Sequence, residues 1–160
     1  MGDLWLILID SRSSTLPPGA RDTERAMSEE DLEVVRRSFD SHAWDRADWD
    51  TLKELYDEDV VFHSSIVDIV GKTVVGHEAL RRFMTEIQEE WTALRWELDE
   101  IFEAPRGIVT FHRVLGIGRT TGLEVTKPVT GIFEVRDGRI VREWVYADRA
   151  EALEAAGLSE

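Results

Sequence analysis

The hydrophobic period of this chain changes once, near Trp91, and that change limits the possible folds more than any other feature. Before it, apolar residues recur at helical spacing: Leu32, Val35, Phe39 and Ala43, then Trp49, Leu52, Leu55 and Tyr56, then Leu80, Phe83, Met84, Ile87 and Trp91. The spacing predicts a helix over residues 29–45, capped by Ser28, then a second short helix and a third opening at Gly76. The β-branched and aromatic run Val60-Val61-Phe62-His63 predicts one short strand among them, with residues 65–75 as a loop or irregular edge. After Trp91 the period is 2. Strands are expected from Leu94 to Ile101, over 108–117, over 123–135 and over 140–146, with Asp137-Gly138 as the tight turn before the last. A short helix over 148–156, ended by Gly157, closes the chain. Helices grouped ahead of a strand meander give an α+β domain, not a parallel βαβ layout.

The chain has 160 residues, 42% of them hydrophobic, which suits one soluble domain with a core of its own. Residues 28–160 are expected to form it. Residues 1–27 read as a poorly ordered N-terminal extension ahead of a natural start at Met27, with an edge strand or partner contact at Leu4–Ile9 as the alternative. There is no cysteine, so disulfides and thiolate metal sites are excluded and a cytoplasmic location is expected. The formal charge of −14 repels a phosphate backbone and an anionic bilayer, so neither nucleic acid nor membrane is an expected partner. No apolar run approaches the ~20 residues of a membrane span.

Three ordered stretches resemble the nuclear transport factor 2-like (SnoaL-like, ketosteroid isomerase-like) superfamily. They are Leu55-Tyr56-Asp57-Glu58-Asp59-Val60-Val61-Phe62, Val75-Gly76-His77-Glu78-Ala79-Leu80-Arg81-Arg82-Phe83, and the closing hairpin from Gly131 to Trp144. The resemblance implies a cone-shaped, cystatin-like fold, with N-terminal helices packed on a curved, mostly antiparallel sheet around a cavity. It also implies a homodimer through the outer sheet face. The catalytic groups of the best-known activities do not carry over. The isomerase's base falls at Ser64, its oxyanion tyrosine near Asp40 and its second acid near Pro128. The epoxide hydrolase's Arg and Asp fall at His112 and Val114, and its other Asp, shared with the cyclases, at Val145.

Strand alternation gives a separate estimate of the cavity, because residues two apart share a face. Phe62 and Ser64 form one set, Thr110, His112, Val114 and Gly116 a second, and Val141, Glu143 and Val145 a third; Thr130 is added from the intervening strand. This predicts a mostly apolar pocket for a small hydrophobic or aromatic metabolite, lined by Phe62, Ser64, Thr110, Val114, Thr130 and Val145. His112 and Glu143 are the candidate catalytic pair, since a carboxylate can orient an imidazole base. The plainer alternative is a core histidine bonded to a neighbour. His63 should point away from the cavity, His77 should be exposed and His42 could face either way. Asp68 is a candidate replacement acid or a solvated loop charge. No HExxH or His-x-His pattern occurs, so no metal is expected, and no cofactor. The tryptophans 44, 49, 91, 96 and 144 could line the cavity or fill the core, and Arg113 and Arg142 belong on the opposite face. Three functions stay open: acid–base chemistry of an isomerase, cyclase or hydratase kind, ligand binding without catalysis, and dimerisation or association.

Overall fold

The computed structural model describes residues 21–65 and 72–158, with side chains from Glu29 onward. Helix α1 (Arg21–Asp40) begins ahead of the expected cap, so Ser28 lies inside it. It places Val34, Val35 and Phe39 in the core, the spacing of one helix face. It ends earlier than the periodicity predicts because His42 takes a φ of 55°, a left-handed stop. The Ser41 and His42 amides close the last turn on Arg37 and Phe39 carbonyls, and Ala43 and Trp44 then turn inward from a non-helical segment.

Asp48 caps the short helix α2 (Trp49–Leu55), accepting from the Thr51 amide at 3.2 Å and from its hydroxyl at 2.8 Å. Strand β1 (Tyr56–Ser64) follows without a loop, so Tyr56 is a strand residue and not the end of a helix. β2 (Lys72–Val75) is a short edge strand where a loop or irregular edge is expected, and it pairs antiparallel with β1. Gly76, at φ 88°, breaks β2 from α3 (His77–Glu90), whose buried face is Leu80, Phe83 and Met84.

Trp91 is the first residue of β3 (Trp91–Ala104), so the change of period and the change of structure coincide. β4 (Gly107–Gly118), β5 (Glu124–Arg136) and β6 (Arg139–Tyr146) continue the meander. Asp137 and Gly138 both have positive φ, 52° and 76°, as the two-residue turn between β5 and β6 requires. Helix α4 (Arg149–Ala155) is capped by the Asp148 side chain and stopped by Gly157 at φ 87°.

The six strands form one curved sheet in the order β2-β1-β6-β5-β4-β3. β1 and β6 are parallel and every other pair is antiparallel. The inner face meets α1, α2 and α3 around Leu52, Tyr56, Val60, Leu80, Met84 and Phe133. The outer face carries Val109, Ile132, Trp144 and Tyr146 against Ala152, Ala155 and Ala156 of the α4 region. This is the α+β nuclear transport factor 2-like architecture. Leu4–Ile9 and Asp68 lie outside the described residues.

A register shift corrects one expected face. Glu134 pairs with Arg142, yet Val135 pairs with Ile140, so Val141 is an extra residue in β6. Ile140, not Val141, therefore joins the inner core.

Candidate functional site

The inner face of the sheet and the helices enclose a cavity of about 160 Å³. Alternation places Phe62 and Ser64 of β1, His112 and Val114 of β4, and Glu143 and Val145 of β6 on its wall, as expected. Thr110 is fully buried beneath His112 and does not line the cavity. Thr130 faces the other way: its neighbours Val129 and Phe133 are inner-core residues, and its cross-strand partners Phe111 and Tyr146 belong to the outer cluster. The remaining wall comes from elements whose contribution the sequence did not make plain. α1 and the turn after it supply Ser38, Phe39 and Trp44, β1 supplies Tyr56, and the α3–β3 junction supplies Phe83, Ile87, Glu90, Trp91, Leu94 and Trp96.

The aromatic part of this wall is continuous. Trp44 stacks on Phe62 at 5.6 Å between centroids, Trp96 lies 5.6 Å from Trp44, and Phe83 lies 5.3 Å from Phe62. Trp44 and Phe62 are buried and Trp96 and Trp91 half-buried, while Glu90 is exposed. The α3–β3 junction is thus the rim. Trp49 and Trp144 lie elsewhere, edge-on to His77 and stacked on His63 respectively.

The polar centre of the cavity is Glu143. It is 6% exposed, and its Oε1 accepts a hydrogen bond from the Tyr56 hydroxyl at 2.5 Å. That hydroxyl accepts in turn from Trp44 Nε1–H at 3.1 Å, so a chain of three buried groups from three elements ends on the carboxyl. Burial raises the Glu143 pKa to about 8, although the Tyr56 bond acts in the opposite direction. The carboxyl is therefore mostly protonated at neutral pH. The Tyr56 hydroxyl is pushed well above its ordinary value by burial and then by Glu143, so it remains a neutral donor.

His112 has a different partner. Its Nδ1 lies 3.0 Å from Thr110 Oγ1, and its ring sits 4.9 Å from that of Phe39. Burial lowers its pKa to about 4, with Asp99 and Thr110 opposing the shift, so the ring is neutral at pH 7. His112 and Glu143 share the cavity, but the hydrogen bonds described for them run to Thr110 and Tyr56.

The other histidines are structural. His63 points to the outer face, as expected, with Nδ1 2.5 Å from Thr73 Oγ1. His77 is half-buried where exposure is expected, because its Nε2–H donates to the Tyr56 carbonyl at 2.7 Å and pins the start of β1. His42 is exposed beside Asp45. Arg113 and Arg142 lie opposite the cavity, as alternation predicts, and pair within the chain: Arg113 with Asp99 and Glu97, Arg142 with Glu134. Among the described residues no group of three or more His, Cys, Asp or Glu is placed to hold a metal ion.

Gly116 seats the rim. A Cβ there would lie 2.6 and 2.8 Å from ring carbons of Trp91 and 3.1 Å from Leu94 Cδ1. Gly116→Ala is expected to displace the Trp91 ring and to cost about 1–3 kcal/mol by overpacking. Urea unfolding measures the loss, and a shift in the tryptophan emission spectrum reports the ring's new environment.

Comparison with known proteins gives a consistent placement. A family model described as a SnoaL-like domain matches residues 35–143. No curated protein matches the chain. Among solved structures it is similar to a hypothetical protein with a ketosteroid isomerase-like fold from Catenulispora acidiphila DSM 44928, in complex with trimethylamine, at 16% identity and a TM-score of 0.63, covering 79% of this chain and 94% of that one. It is similar to a nuclear transport factor 2-like protein of unknown function from Burkholderia pseudomallei K96243 at 21% identity and a TM-score of 0.64, covering 79% and 97%. An LEH-like epoxide hydrolase from M. tuberculosis gives 20% identity and a TM-score of 0.60, covering 80% and 90%. At these identities the structural likeness establishes the fold, and the family match spans most of the chain: the protein belongs to the SnoaL-like domain family.

Proposed function

We propose that this domain is a cytoplasmic pocket protein that binds a small, largely apolar organic molecule, with Glu143 as the group that meets the molecule's polar end. The observation that carries this is the cavity itself: walls mostly apolar and aromatic, with Ser38, Ser64, Tyr56, His112 and the buried Glu143 carboxyl, raised to about 8, as the polar groups inside the rim. Apolar walls with a few convergent polar groups are the usual composition of a small-molecule site. A carboxyl that titrates near the working pH can give and take a proton, so acid–base chemistry on the bound molecule runs through Glu143, with neutral His112 as a hydrogen-bonding partner and not the base. The complex of a same-fold protein with trimethylamine supports a small organic ligand. The absence of cysteine supports the location, and the charge of −14 disfavours nucleic acid as a partner.

The cavity volume sets the ligand's size. An apolar cavity of about 150 Å³ accepts benzene, so molecules of about one ring are the right scale and a steroid is too large. A panel of one-ring and smaller compounds, screened by thermal unfolding, tests the proposal. A binder at a hundredfold excess over its dissociation constant should raise the melting temperature by about 5–10 °C. His112→Ala should weaken that response if His112 touches the ligand. A panel of this size range with no stabilising member would contradict the proposal. A homodimer through the outer sheet face belongs to the same proposal; sedimentation equilibrium giving a monomer at micromolar concentration would remove it.

A further inference from the structure

We infer that the cavity takes a small organic cation, an alkylammonium whose carbon shell lies against the aromatic wall and whose charge is met by the Glu143 carboxylate. The inference rests on the cavity being a ligand site and names the chemical class it selects.

The lining residues carry one sign of charge. Glu143 lies at the buried end and Glu90 at the rim, while no lysine or arginine is among the described residues that line the cavity. Trp44, Trp96, Phe62, Phe83, Trp91 and Tyr56 supply aromatic rings, whose π electrons attract a cation and repel an anion. The imidazole of His112 adds no positive charge at neutral pH, because burial holds it neutral. An anionic ligand would therefore enter a space lined by carboxyl groups with no counterion among the described residues. A neutral ligand of the same shape would fit the walls and leave the carboxyl protonated, but it would gain nothing from the rings' attraction for positive charge. An alkylammonium fits both parts: its methyl or methylene groups replace water on the rings, and it brings the counterion that lets Glu143 ionise. The volume of about 160 Å³ admits a trimethylammonium-sized group and little more.

Binding is then coupled to a proton. Among the described residues, the ionisable groups that line the cavity with Glu143 are Tyr56 from β1, His112 from β4 and Glu90 at the end of α3, with none from α1 or β3. Tyr56 and His112 stay neutral around pH 7, so Glu143 is the group that changes state. Below pH 8 the cation must displace its proton, and affinity for a quaternary ammonium should fall about tenfold per pH unit; above pH 8 it should level off.

Choline, its neutral carbon analogue 3,3-dimethylbutan-1-ol, and pivalate as an anion of similar size form the test set. Calorimetry at pH 7 and pH 9, in two buffers of different ionisation enthalpy, gives affinity and proton count without any mutation. The expected result is that choline binds at least tenfold more tightly than the alcohol at pH 9, releases close to one proton at pH 7, and that pivalate does not bind. Glu143→Gln, checked for folding by thermal unfolding, should weaken choline binding at least tenfold at pH 9 and abolish the proton release at pH 7. If the alcohol binds as tightly as choline, or choline releases no proton, the cation assignment is wrong and the small-molecule pocket stands. If none of the three binds, both fail.

Discussion

Glu143→Gln is expected to remove a fall in stability that the wild type shows between pH 6.5 and pH 8, about 2 kcal/mol in size. The sign follows from the proton count. The Glu143 carboxyl titrates near 8 in the folded state against 4.5 when unfolded, so between those values the folded protein holds more protons. Its contribution is complete below pH 4.5 and is lost as pH rises through 8, about 5 kcal/mol over the whole span. His112 works in the other direction. Its folded pKa of about 4 lies below the ordinary 6.5, so its contribution is present above pH 6.5 and is lost as pH falls through 4. From 4.5 to 6.5 the two slopes oppose each other while Asp31, raised to about 6 by burial, adds a fall of its own, and above 6.5 Glu143 dominates. His112→Gln should uncover the complete Glu143 slope from pH 4.5 upward. Glu143→Gln should instead leave a plateau above pH 6.5. Urea unfolding across this range measures each curve. A wild type as stable at pH 8 as at pH 6.5 would mean that the carboxyl is not held neutral by the fold.

Phe133→Ala is expected to cost about 3–5 kcal/mol, among the largest losses of any single truncation in this domain. The ring is 1% exposed, lies edge-on to Phe39 at 6.2 Å, and sits on β5 between Ile108 of β4 and Glu143 of β6. Gly131 makes room for it, since a Cβ there would be 2.8 Å from Phe133 Cε1. The backbone around the ring is three paired strands, which cannot close in on the space it leaves, so the cavity term is added almost in full to the lost transfer energy. Phe133→Leu keeps most of the volume and should lose markedly less. In urea the Ala variant should show a lower midpoint with an unchanged m value. A loss below about 1 kcal/mol would show that the inner sheet face repacks freely, and the cavity would then not be a fixed shape.

The order of elements was legible because period is a strong signal in long segments. Leu80, Phe83 and Met84 mark the buried face of α3, and the alternation after Trp91 marks the meander. Inner and outer faces were legible wherever a strand runs without a shift: Phe62 with Ser64, His112 with Val114, and Glu143 with Val145 all line the cavity. Alternation failed at Val141, where an extra residue in β6 reverses the faces, and no residue type in Arg139-Ile140-Val141-Arg142 announces that bulge. β2 was missed because four residues on a sheet edge, with every second one exposed, look like a loop.

The partner of Glu143 was the costlier miss. Tyr56 follows Leu52 and Leu55 at helical spacing, so it read as the end of a helix. Alternation does not find it either, because β1 shifts register between Tyr56 and Val61 and Glu58, two residues from each of Tyr56 and Val60, is exposed. Without Tyr56, the ionisable group left among the expected cavity residues to pair with Glu143 was His112. In the structure desolvation keeps that imidazole neutral and Thr110 lies against its Nδ1, while Tyr56, itself held by Trp44, donates to the carboxyl. Which buried groups find each other depends on distances between elements far apart in sequence, and Tyr56 and Glu143 are 87 residues apart.

The central claim is that the cavity ends on a carboxyl kept neutral at physiological pH, and a carbon-13 NMR titration of the Glu143 side-chain carboxyl tests it most directly, with Glu143→Gln assigning the resonance. A midpoint near pH 8, moving down when a cationic ligand is added, is the predicted result. A midpoint between pH 4 and 5, where exposed glutamates titrate, would contradict the account, because Glu143 would then be an ordinary solvated carboxylate and the cavity would have no group poised to exchange a proton with its ligand.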